Sequence, residues 1–115
     1  MSNLNSVVAI LPAADHPTAV AWYQRWIGRE PDVAPTEGVA EWQLAEAAWI
    51  QVTVPDETTT GPSSVVVGVD DLDLQRERCA AAGVEVGDVD DLGFIRLAAA
   101  TDPAGNTVTF VQVVS

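Results

Sequence analysis

Few side chains in this sequence are equipped for covalent or acid–base chemistry. His16 is the single imidazole and Cys79 the single thiol, and no Ser-His-Asp arrangement is visible. A general acid or base must be a titratable group held in a cleft. Glu41 and Glu46 flank an apolar stretch and are the candidates, with solvated surface positions as the plainer reading. Cys79 follows Arg76 and Arg78 in a helical stretch, which suits a bystander thiol better than a nucleophile. Binding chemistry is better represented. Trp49, Gln51 and Thr53 alternate along one extended segment and so share a face. They offer a flat ring, an amide and a hydroxyl, a set for stacking and a few hydrogen bonds.

The elements that must position these groups can be read in order. Residues 5–11 (NSVVAIL) form a short apolar strand. Asp15 is a plausible N-cap, Pro17 sits in the first helical turn, and Ala19, Trp22, Tyr23 and Trp26 recur on one helical face. That aromatic stripe reads as core packing. Gly28 ends the helix. Residues 30–38 carry Pro31 and Pro35 and form a loop or a short edge strand. Residues 39–44 and 47–54 are a strand pair, and residues 55–63 (PDETTTGPS) are a linker. The second half repeats the order. It has a strand at 64–69, a helix capped by Asp70 or Asp71 and ended by Gly83, and strands at 84–86, 93–100 and 107–113. The last two strands are joined by the turn Asp102-Pro103-Ala104-Gly105-Asn106. Asp15 precedes Gly28, and Asp70 precedes Gly83, by the same interval, which marks an internal repeat. The expected fold is α+β: two βαβββ modules, residues 4–54 and 64–114, forming curved mixed sheets around a cleft within a single domain, 1–115.

Composition narrows the partners. Seventeen acidic residues face five basic ones, all Arg, for a formal net charge of −12. Nucleic acid and anionic membranes are excluded as partners, because phosphate binding needs clustered cations. Such a surface aids solubility, or attracts a cationic ligand through the summed field. No apolar run approaches the ~18 residues of a membrane span. One cysteine excludes an internal disulfide, and residues 1–10 show no basic segment before an apolar core. A cytoplasmic location is the expectation.

Residues 11–28, L-P-A-A-D-x-x-x-A-V-A-W-Y-x-x-W-I-G, resemble the opening of vicinal oxygen chelate proteins, a superfamily that includes glyoxalase I, bleomycin-resistance proteins and extradiol dioxygenases. V-D-D-L-D at 69–73, Gly83 and D-P-A-G-N at 102–106 resemble its second module. The resemblance covers nearly the whole chain and is specific for fold, not activity. It implies a cleft in which metal-dependent members hold a divalent ion on His, Glu or Gln from four strand positions. Here those positions fall on Val8, Gln51, Ser64 and Thr109. Val8 cannot ligate, Ser64 and Thr109 are poor neutral ligands, and only Gln51 is credible. The expectation is a site with no metal and no cofactor, lacking the Lewis acid of the family's usual chemistry.

The remaining cleft lining, on this resemblance, is Trp49, Gln51 and Thr53, continued by Ser64, Val66, Thr107 and Thr109. Trp42 adds a second flat wall or else packs the core, and Arg96 sets a charge at the cleft mouth or pairs on the surface. The expected function resembles that of the bleomycin-resistance branch: sequestration, by a homodimer, of a planar or cationic small molecule such as an antibiotic. The alternatives are a glyoxalase- or dioxygenase-like metalloenzyme with atypical ligands, and a degenerate module that serves regulation or assembly.

Overall fold

The computed structural model describes residues 3–34 and 36–114. Pro35, expected in the loop after the first helix, lies outside them, as do Met1, Ser2 and Ser115. The described chain is α+β. Its elements run β1 (Val7–Pro12), α1 (His16–Ile27), β2 (Val39–Ala45), β3 (Ala48–Thr53), β4 (Ser64–Gly68), α2 (Leu72–Ala81), β5 (Asp90–Asp91), β6 (Ile95–Thr101) and β7 (Thr107–Val113). Two mixed sheets result, ordered β1-β3-β2 and β4-β7-β6-β5. In each, the strand before the helix pairs in parallel with the last strand of its half.

Local chemistry fixes the helix ends. Asp15 caps α1, accepting from Thr18 N–H and, at 2.8 Å, from Thr18 Oγ1. Gly28 closes α1 at φ 88°, a left-handed conformation that glycine adopts without a Cβ clash. The cap of α2 is Asp71, which accepts from Leu74 N–H at 3.0 Å. Asp70 is not the cap, so the two cap-to-glycine intervals differ by one residue.

The edge strands depart from the sequence reading. Residues 84–86 form no strand; Val84 is buried and its N–H reaches back to Cys79 O at 2.8 Å. The ladder contact comes later, at Asp90–Asp91 against β6. In the first half the corresponding edge is one bridge, Val33 to Glu41. A run of acidic side chains and a proline explain both truncations, since neither favours a long edge ladder.

One core serves both halves. Tyr23 of α1 packs on Trp42 of β2 (centroids 6.1 Å apart), while Trp26 of α1 meets Phe110 of β7 edge-on at 5.2 Å. The helices also touch each other. Apolar positions of alternate parity supply the rest: Ala40, Ile50 and Val52 from one sheet, Ala98, Ala100 and Val108 from the other. Burying these faces leaves the opposite face of each sheet open.

Candidate functional site on the open sheet faces

Strand alternation decides what each open face carries. On the three-stranded sheet the register gives three rows: Val8, Trp49 and Gln43; Ile10, Gln51 and Glu41; Pro12, Thr53 and Val39. The middle row is tied together, because Gln51 Nε2 donates to Glu41 Oε1 at 2.7 Å. Trp49, Gln51, Thr53 and Glu41 are all half-buried, so each has one side available to solvent. On the four-stranded sheet the rows begin Ser64, Thr107, Thr101 and then Val66, Thr109, Ala99.

Seven expected lining residues therefore fall on open faces: Trp49, Gln51 and Thr53 on one sheet, and Ser64, Val66, Thr107 and Thr109 on the other. Trp49 and Val66 also line one groove of about 230 Å³ between β1 and β4, with Val7, Ala9, Leu44 and Val67.

Two residues are placed elsewhere. Trp42 is fully buried, with the parity of Ala40 rather than Glu41. It stacks on Tyr23, and its indole N–H donates to Arg29 O at 3.1 Å, so it is a core residue and not a cleft wall. Arg96 shares the parity of the buried Ala98 and Ala100. Its guanidinium pairs with Asp73 of α2 at 3.1 Å, which puts its charge on the helix-bearing side.

Glu41, a candidate acid or base whose plainer reading from the sequence is a solvated surface position like that of Glu46, lies on this open face beside Gln51. The signal was available in the alternation of Val39, Glu41 and Gln43 against apolar Ala40 and Trp42.

The other chemistry-bearing residues are committed. His16 Nε2 lies 3.0 Å from Val52 O; only a protonated nitrogen can bond a carbonyl, so this atom is no free base or ligand. Cys79 is fully buried, and burial pushes its thiol upward, against a smaller opposing effect from Gln75.

The residues do not suit the divalent ion of metal-dependent proteins of this fold. Val8 has no donor atom, Ser64 and Thr109 offer neutral hydroxyls, and of the four positions only Gln51, through its side-chain oxygen, supplies a usual donor. Among the described residues, no three His, Cys, Asp or Glu side chains gather as a metal shell. No helix among them is long and apolar enough to cross a membrane.

No protein-family model matches the sequence, and no curated protein matches it. Solved structures do. A glyoxalase/bleomycin resistance protein from Catenulispora acidiphila is 27% identical, with 96% of this chain and 99% of that chain covered and a TM-score of 0.86. TnmS3, an antibiotic binding protein from a Streptomyces species, is 19% identical over 99% of each chain, at a TM-score of 0.82. A lactoylglutathione lyase from Agrobacterium tumefaciens is 18% identical over 97% of this chain and 94% of that one, at 0.75. The two mixed sheets and their two helices thus have their counterpart in known structures: the chain has the glyoxalase/bleomycin-resistance fold, and its similarity to these proteins is consistent with the vicinal oxygen chelate superfamily.

Proposed function

We propose that this protein binds and sequesters a planar, cationic small molecule on its open sheet face, without a metal and without catalysing a reaction. The carrying observation is the row-by-row arrangement of Trp49, Gln51 and Glu41 on that face. An aromatic surface beside hydrogen-bonding groups holds a flat ligand, and a net charge of −12 favours a cation. The antibiotic-binding Streptomyces protein of the same fold supports the reading by analogy. Sequestering an antibiotic would confer resistance by affinity alone.

The reading carries a homodimer with it. Val8, Ile10, Val66 and Val113 stand on the open faces at 43%, 54%, 69% and 71% exposure, a large apolar area for a small protein. A second copy of the chain would cover it and close a cleft over the ligand. A reducing cytoplasm suits the single buried thiol. Module boundaries at 4–54 and 64–114, with 55–63 as a linker, belong to the same proposal.

The test combines metal analysis with titration. The purified protein is expected to carry far less than one equivalent of metal and to show saturable tryptophan quenching by planar cations. Stoichiometric metal with metal-dependent turnover would replace this reading with a metalloenzyme.

A further inference from the structure

Resting on that reading of the open face, we propose that Glu41 and Gln51 form a paired acceptor that selects ligands bearing a cationic nitrogen with at least two N–H groups, such as an amidinium. The geometry dictates what the pair can accept. A carboxylate offers only acceptors, so the Gln51 atom 2.7 Å from Glu41 Oε1 is the amide nitrogen. That orientation leaves the Gln51 carbonyl oxygen as a second acceptor. Among the described residues, nothing donates to it or to Glu41 Oε2.

Two acceptors and one negative charge thus sit side by side at the centre of the face. Glu41 is the only ionisable residue in the three rows of that sheet. No described arginine neutralises it. Arg29 is held by Asp32 and Gln43 O, Arg96 by Asp73, and Arg76 by Gly87 O, while Arg25 and Arg78 lie on the helices. A planar fork of N–H donors meets such an array two bonds at a time. An anionic or acceptor-only ligand would be repelled. Trp49 lies two residues along β3 on the same face, roughly 7 Å away. A ring stacked on its indole can therefore carry the cationic group across the middle row.

A matched pair of probes tests this: 2-naphthamidine and its neutral counterpart 2-naphthamide, titrated into the purified protein with tryptophan emission as readout. The amidine is expected to bind at least about tenfold more tightly. Glu41→Gln is expected to bring the two within about twofold, through a loss that falls mainly on the amidine. Gln51→Met, which removes one acceptor and leaves the carboxylate, is expected to lower the preference several-fold. Equal binding of both probes to the unmodified protein, a preference that survives Glu41→Gln, or an equal loss for both probes in that variant overturns the assignment while ligand binding stands. Binding of neither probe overturns the ligand-binding reading and this assignment together.

Discussion

Tyr23 Oη donates a 2.7 Å hydrogen bond to Asp102 Oδ2, across 79 residues of sequence. The same carboxylate accepts from the N–H groups of Ala104 and Asn106 and from Asn106 Nδ2, each at 2.8 Å. Asn106 extends the link, donating to Pro12 O at the end of β1 and accepting from Ser63 N–H. Helix α1, strand β1 and the D-P-A-G-N turn are thereby locked to one another. Asp102 and Asn106 are buried, and their hydrogen bonds meet the requirement that buried polar groups find partners.

Tyr23→Phe is expected to cost about 1–3 kcal/mol, because it leaves a buried acceptor short of a donor. Burial, then the bond to Asp102, then that residue's charge, push the Tyr23 phenol well above its ordinary value. The folded state keeps a proton that the unfolded chain gives up near pH 10. The sign follows: this contribution is whole below that pH and is lost as the pH rises beyond it. Urea unfolding from pH 8 to pH 11 should show alkaline weakening that is reduced in the phenylalanine variant.

Trp42 and Trp49 differ by seven positions and have opposite roles, and unfolding measurements should separate them. Trp42→Phe is expected to cost about 2 kcal/mol, from the cavity left and the lost bond to Arg29 O. Trp49→Phe, on the open face, should stay within about 0.5 kcal/mol of the parent.

Ala47 closes the β2–β3 turn at φ 61°, a left-handed conformation that costs a residue with a Cβ. Ala47→Gly is expected to raise stability by about 0.5–1 kcal/mol, read as a higher urea midpoint at unchanged slope.

Acid should weaken the fold in a defined window. The Arg29 guanidinium, helped by the Gln43 N–H, lowers Asp32 to about 2 from its ordinary 3.8. Thr58 and Thr59 lower Asp56, and Arg96 lowers Asp73. Carboxylates depressed in the folded state contribute stability above their unfolded value and lose it as the pH falls through the folded one. The urea midpoint should therefore decline between pH 3.8 and about 2. Arg29→Gln should blunt that decline.

Much of the fold was legible because its signals are local. Asp15, Pro17 and Gly28 bracket a helix by cap chemistry, and the alternation from Thr107 to Val113 is a strand on any reading. Trp49, Gln51 and Thr53 shared a face for the same reason. The illegible parts depend on contacts between distant segments. Trp42 looks like a site aromatic until Tyr23 covers it, and Arg96 looks like a cleft charge until the parity of Ala98 and Ala100 is known. The edge at 84–86 failed because a short apolar run does not say whether it pairs or packs. Val84 packs, and the pairing moved to two aspartates.

The central claim is that the open face around Trp49 receives a flat, positively charged compound. Tryptophan emission followed during titration with 2-naphthamidine, in the parent protein and in Trp49→Phe, tests it most directly. Saturable quenching is expected in the parent and is expected to be largely lost in the variant. Quenching of equal depth and affinity in both proteins, or none in the parent, would contradict it.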